Sequence, residues 1–169
     1  MKQFATRALL GLTLGLSTFA ITTSAVQAAD VPDPLRLGID VPYAPFGYKL
    51  PSGELTGFEI ELGNAICAQL ATHCEWTEQD FDGIIPGLMA RKYDVIMSAL
   101  TINPERERQA LFSEPYFTPP SGWFVKADSP LAGADTLDAE ALAGKVIGVQ
   151  RGNLQDHYVT DLYGRTAEV

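Results

Sequence analysis

Residues 94–116 read DVIMSALTINPERERQALFSEPY. A short apolar run through Val95, Ile96 and Met97 breaks into Ser98-Ala99-Leu100-Thr101 and passes at once into Asn103-Pro104-Glu105-Arg106. Asn103 suits a helix N-cap, Pro104 the first helical position and Glu105 the positive end of a helix dipole. Buried strands end this way where their tips must present polar groups to something small. The stretch therefore predicts a strand that delivers a loop and a helix start to a ligand.

Upstream lie two further strand candidates. LRLGID alternates toward a strand that stops at Asp40. Residues 41–52 hold three prolines, two tyrosines and a phenylalanine, too irregular for an element and too aromatic for a plain linker, which makes them a candidate binding loop. LTGFEIELGNAICAQLA places Phe58, Leu62, Ile66 and Leu70 at steps of four, the spacing of an amphipathic helix. CEWTEQD has the composition of a second strand, and Ile84, Ile85 and Leu88 return to helical spacing before the YDVIMSAL strand. Strand, helix, strand, helix, strand argues an α/β fold with a parallel sheet covered by helices. Ligands in such sheets sit beyond the carboxyl ends of the strands, where Asp40, Phe81 and Ser98–Thr101 fall.

Downstream, FSEPYFTPPSGWFVK reads as an extended crossing segment in which Pro119 and Pro120 limit any helix. Residues 128–145 suggest a loop and then a short helix, VIGVQ a strand, RGN a turn, and Leu154 to Tyr163 a helix. One strand and one or two helices cannot close a second core, so the second half is expected to be incomplete. No internal repeat or low-complexity tract is visible.

The N-terminus carries export information. Lys2 and Arg7 are the only charges before Asp30, the run ALLGLTLGLSTFAITT follows, and Val26 and Ala28 occupy the small-residue positions of a cleavage site, placed after Ala28. An uncleaved anchor is the alternative, but the apolar core falls short of the ~20 residues a spanning helix needs. No Cys follows the site, so a lipid anchor is not indicated. Cleavage would leave 141 of the 169 residues, and loss of Lys2 and Arg7 from 12 basic residues leaves 10 against 21 acidic ones, a formal charge of −11. Without a basic cluster, nucleic acid is excluded as a partner. Cys67 and Cys74 are the only cysteines, and in an oxidising compartment a disulfide is their default. A metal site would need more ligands than these two and His73. No cofactor is expected.

GIDVPYAPFGY, GELTGFEIELGNAIC, DFDGIIPGLMARKYDVIMSALTINPERERQALFSEPY and LAGKVIGVQRGNLQ resemble, in order and spacing, the periplasmic amino-acid-binding proteins that feed ABC importers. Among these the chain looks like the lysine/arginine/ornithine and histidine receptors. The resemblance covers about residues 35 to 158. It implies a periplasmic-binding-protein-like α/β fold with two lobes and mostly parallel sheets. The division it implies is a signal peptide at 1–28, a nearly complete first lobe at 29–117, a crossing segment at 118–126 and an incomplete second lobe at 127–169. It further implies a monomeric periplasmic protein, not an enzyme, that binds a polar or basic L-amino acid and delivers it to an ABC permease in the inner membrane.

The site residues follow from the same resemblance. Arg106 matches the arginine that grips the ligand α-carboxylate, a task suited to a planar guanidinium; on spacing alone it reads as a solvated helix charge. Ser98, Ala99 and Thr101 match the strand-end residues that seat the α-amino and α-carboxylate groups. Asp40 matches the carboxylate that faces a cationic ligand side chain, and otherwise reads as a strand-end turn residue. Tyr43 and Phe81 match two aromatics that sandwich the ligand, where stacking and cation–π attraction are worth ~0.5–2 kcal/mol each; either reads equally as core filling. Leu154 and Gln155 match positions of the second lobe near the carboxylate. Cys67 and Cys74 match a short disulfide loop.

Ala99 stands where relatives carry a second serine, Leu154 where they carry a threonine, and Gln150 where an apolar residue is usual. The family also continues beyond the point matching Val169, with a return crossing and an acidic residue for the ligand α-amino group. Two other functions share these features. A same-fold cyclohexadienyl or arogenate dehydratase would need a general acid that no evident acid/base pair supplies, and a ligand-sensing module would need a signalling domain. His73 and His157 are the only histidines, and no hydrolase triad can be defended from spacing.

Overall fold

The strand expected at LRLGID forms over Leu35–Ile39 (β1), and all its residues but Arg36 are buried. It is the centre of a three-stranded sheet in the order β4-β1-β5, with β4 at Cys74–Glu78 and β5 at Val95–Ile96. Both neighbours run parallel to β1, in register Leu37↔Trp76 and Leu37↔Val95. The computed structural model describes residues 31–118 and 120–169, and Val31–Val169 forms one compact unit. The export segment read at residues 1–28 lies outside the described residues.

Helices cover both faces, which is why β1 is buried on both sides except at Arg36. On one face, Leu35 and Leu37 pack with Met97 and with Cys67 of α1 (Phe58–Gln69), and Leu62, Cys74 and Trp76 close the cluster. Burial of a side chain such as Leu37 is worth roughly 1.5–3 kcal/mol. The Cys67–Cys74 disulfide ties the end of α1 to the start of β4. On the other face, the ring of buried Tyr93 lies where a Cβ on Gly38 would be, 2.6 Å from that position, and its hydroxyl donates to the Ile84 carbonyl at the start of α2 (Ile84–Met89). Glycine at 38 is thus a packing requirement.

Five sequence expectations change. The 41–52 loop is not free of structure: Tyr48–Lys49 (β2) pairs antiparallel with Leu55–Thr56 (β3). The α1 stripe was placed on the wrong face, since Phe58, Ile66 and Leu70 are exposed and Glu59, Ile60, Gly63 and Cys67 are buried. The buried stripe, Glu59, Gly63 and Cys67, keeps the same spacing but is rotated by one residue, about 100°, from the stripe that Phe58, Leu62 and Ile66 define. The YDVIMSAL strand shrinks to two paired residues because β1 offers β5 only Leu37 and Gly38. Residues 128–145 hold turns in place of a helix, and VIGVQ makes one parallel bridge, Val146↔Glu168.

The helix start at Asn103 forms as expected over Pro104–Glu107 (α3), with the Asn103 side chain accepting from the Arg106 N–H. Leu154–Tyr163 forms α4, capped by Asn153. Val159 and Tyr163 of α4 bury with Leu142 and Ile147 in a second, smaller cluster.

Candidate functional site

Asp40 directly follows β1 and is buried; its N–H donates to the Ser98 hydroxyl at 3.0 Å, which ties the tips of two adjacent strands together. Its Oδ2 accepts from Gln150 Nε2 at 2.5 Å. Burial pushes the Asp40 carboxyl above its ordinary range; the Gln150 hydrogen bond opposes the shift and Asp80 reinforces it.

Arg106 sits at the third position of α3, and its side chain turns inward until the residue is 7% exposed. Nη1 donates to the Thr101 carbonyl at 2.8 Å and Nη2 to the Gly152 carbonyl at 3.0 Å. The guanidinium carbon lies 5.5 Å from the centroid of the Phe81 ring. Burial lowers the Arg106 pKa, partly offset by Glu105, yet a guanidinium stays charged at any physiological pH. No carboxylate lies within ion-pair distance of it among the described residues. A buried, positively charged fork is therefore held only by neutral carbonyls and an aromatic face.

The strand-end loop is itself held from below. Ala99 has φ 45°, a left-handed conformation that costs a residue with a Cβ about 1 kcal/mol or more. Glu59 of α1, fully buried, accepts the Ala99 N–H at 2.9 Å and the Tyr116 hydroxyl at 2.7 Å. Burial raises the Glu59 pKa, and burial followed by the Glu59 contact raises that of Tyr116. Glu59 was missed in the sequence because a carboxylate in the first turn of a helix reads as a dipole partner. Its only signal was its place one residue inside the helix start.

The predicted residues thus fall into linked groups. Asp40 bonds to both Ser98 and Gln150; Arg106 contacts Thr101, Phe81 and Gly152. Phe81 and Arg106 line a cavity of about 220 Å³. Ala99, Thr101, Leu154 and Gln155 line a larger one of about 740 Å³, walled also by Tyr116 and Tyr158. Gln155 donates to the Ser121 hydroxyl at 2.8 Å. Tyr43 stands apart from Phe81 in its contacts, stacking on Phe46 at 5.3 Å. Gln150 and Gly152 bring the turn before α4 onto both groups. That turn was legible as RGN, but its reach back to Asp40 across 110 residues was not.

Comparison with known proteins gives this arrangement its context. The family model for bacterial extracellular solute-binding proteins, family 3, matches residues 35–160. The L-arginine-binding protein of Pseudomonas aeruginosa is 41% identical over 154 residues, covering 90% of this chain and 55% of that protein. The lysine/arginine/ornithine-binding periplasmic protein of Escherichia coli (strain K12) is 37% identical over 154 residues, covering 91% and 56%. The crystal structure of an ancestral amino-acid-binding protein, a precursor of cyclohexadienyl dehydratase, superimposes with a TM-score of 0.70 at 35% identity, over 80% of this chain and 60% of that one. The chain spans about half the length of the curated relatives it matches.

Proposed function

The chain belongs to the bacterial extracellular solute-binding proteins, family 3, and from that premise we propose that it is the solute-binding component of an ABC-type importer. Its ligand is a polar or basic L-amino acid of the arginine, lysine, ornithine or histidine kind, handed to a permease in the inner membrane. Residues 29–117 and 127–169 contribute to two lobes joined by 118–126. The protein works in the periplasm as a monomer, after cleavage near Ala28. Among the described residues no helix is long and apolar enough to cross a membrane.

The observation that carries this reading is Arg106. A buried cation without an anion is costly, and an α-carboxylate would supply two oxygens to a planar fork that now meets only carbonyls. Asp40 supplies the opposite charge for a cationic ligand side chain, and Phe81 an aromatic face between them. Titration calorimetry of the purified chain with arginine, lysine, ornithine, histidine and glutamine tests the reading. Arg106→Ala is expected to abolish binding of every amino acid, and Asp40→Asn to weaken the cationic ones selectively. Retained affinity in the Arg106 variant would sink the carboxylate assignment.

One enzymatic reading has a specific observation behind it, the likeness to the precursor of a cyclohexadienyl dehydratase. The protein is not expected to be an enzyme, because Asp40 accepts from an amide and, among the described residues, no second acid/base side chain is hydrogen-bonded to it. Turnover of prephenate or arogenate by the chain would reverse that conclusion.

A further inference from the structure

Glu59 is fully buried in the first turn of α1, where it joins three separate segments. Its backbone N–H donates to the Phe46 carbonyl at 2.9 Å, beside the Phe58 N–H donated to the Pro45 carbonyl at 3.0 Å, so the aromatic loop caps the helix where no side chain does. Its carboxyl group reaches the other way, accepting the Ala99 N–H at 2.9 Å and the Tyr116 hydroxyl at 2.7 Å. Among the described residues no cation pairs with it. A buried carboxyl group without a cation is costly, and the backbone it holds is strained, since Ala99 has φ 45°. Ala99 in turn lies between the two contacts that fix the charged residues of the site. The Ser98 hydroxyl accepts the Asp40 N–H at 3.0 Å, and the Thr101 carbonyl accepts from Arg106 Nη1 at 2.8 Å. Only Ala99 and Leu100 separate Ser98 from Thr101 along the chain, so the turn at Ala99 sets where the guanidinium stands relative to Asp40.

We infer that Glu59 is a positioning residue of the amino-acid site: through the Ala99 N–H it holds the link between Ser98 and Thr101, and with it the spacing of Asp40 and Arg106, in the conformation that takes the ligand. The inference rests on the amino-acid-binding function proposed above. Glu59 acts from behind the site, because its side chain is wholly covered. Ala99, Thr101 and Tyr116 stand between it and the cavity of about 740 Å³ that they line. Without an acceptor for its N–H, Ala99 has no reason to keep a left-handed conformation, and the link relaxes toward the ordinary regions of backbone space. A ligand held at one end by Arg106 and at the other by Asp40 then finds the competent spacing in only a fraction of molecules, and its apparent affinity falls by that fraction.

The test is titration calorimetry with arginine of the parent chain, Glu59→Leu and Glu59→Gln, at a temperature where circular dichroism shows all three folded. Leucine fills the space but offers Ala99 no acceptor, and arginine affinity is expected to fall about tenfold, the low end of what a hydrogen bond to a charged group is worth. Glutamine keeps an oxygen for the Ala99 N–H and should stay within about threefold of the parent. A merely structural role would lower the urea midpoint of Glu59→Leu and leave the arginine affinity of the folded protein unchanged, which would overturn the inference while amino-acid binding stands. Failure of glutamine to restore affinity would also overturn it. Should Glu59→Leu not fold, Tyr116→Phe replaces it: the Tyr116 hydroxyl is committed to Glu59, and its loss should loosen the carboxyl group and weaken arginine about threefold. No change in that variant would count against the inference in the same way. Independently of any ligand, the Ala99 amide signal in the NMR spectrum, assigned by its absence from alanine-labelled Ala99→Gly, should move further in Tyr116→Phe and in Glu59→Leu than the amides of α4. A signal that stays in place would overturn the inference by removing the contact. A folded parent chain that binds no amino acid would overturn both the inference and the function on which it rests.

Discussion

LRLGI at residues 35–39 and VIGVQ at 146–150 each hold three apolar residues, a glycine and one polar residue, yet one is the centre of a sheet and the other is not a strand. The first is flanked on both sides, by β4 and β5. The second meets a single partner, through the Ile147 N–H donated to the Glu168 carbonyl at 2.8 Å and the Glu168 N–H donated to the Lys145 carbonyl at 2.9 Å. Val146 is left 75% exposed, and Ile147 finds burial against α4. A strand is thus made by its neighbours as much as by its own residues. The same contrast governs polar burial: among the described residues the buried polar ones, Asp40, Glu59, Thr72, Ser98 and Arg106, all lie before residue 107. The sheet region has the backbone frame to hold such groups, and the later region contributes a turn that reaches them.

Two tryptophans allow the regions to be followed separately. Trp76 packs on the sheet cluster, and Trp123 meets Tyr163 of the later cluster at 5.9 Å. The largest difference should come from reducing the Cys67–Cys74 disulfide. Loop-closure entropy for so short a loop gives roughly 2–3 kcal/mol. In a Trp123→Phe background the urea midpoint reported by Trp76 should drop accordingly, whereas Trp123 in a Trp76→Phe background should move less. Equal drops would break the comparison by making the two regions one cooperative unit.

Next in size is a pair of identical substitutions. Gly38→Ala drives a methyl group into the Tyr93 ring, and such overpacking costs ~1–3 kcal/mol. Gly148→Ala places its Cβ in open space and should stay within ~0.5 kcal/mol. Denaturation of the two variants side by side measures how much more tightly the sheet region is packed, and equal effects would deny that difference.

These contrasts also mark what was legible in the sequence. The strand tips were, because Asp40, Ser98 and Asn103 interrupt apolar runs with polar groups, and helix α4 was, at Leu154 to Tyr163 directly after the RGN turn. The buried face of α1 was not. Of its four buried residues, two are Gly63, under the Trp76 ring, and Glu59, which no apolar pattern selects. Nor was the Gln150–Asp40 contact, since pattern carries no information about pairing across 110 residues. The parallel order survived because each strand and helix was local.

A smaller effect is expected in the later region. The Asn153 side chain accepts the Asp156 N–H at 2.7 Å, and Asp156 in turn accepts the Gly152 N–H. Asn153→Ala removes the cap of a ten-residue helix and should cost about 1 kcal/mol. Trp123 should report the loss and Trp76 should not. A response from Trp76 would show that the turn before α4 supports the sheet region as well as touching it.

The smallest shift at neutral pH should come from Glu59→Gln, and its value lies in its pH dependence. The variant keeps an oxygen for the Ala99 N–H, and the Tyr116 hydroxyl can rotate to accept from the new amide, so packing is preserved. Burial raises the pKa of Glu59 and of Asp40. Each therefore contributes stability that is fully present below the ordinary carboxylate pKa and is lost as pH rises through the raised value. Asp94 works in the opposite sense: the Arg36 side chain holds its pKa low, so its contribution is present above the ordinary value and lost as pH falls through the lowered one. Replacing Glu59 removes one of the contributions that decline with pH. Urea midpoints from about pH 4 to about pH 8 should then fall less in the variant than in the parent chain. The Trp76 signal should carry the change, because both buried carboxylates belong to the sheet region. An identical pH profile in the two proteins would mean that Glu59 titrates alike folded and unfolded, and that its burial does not set its charge.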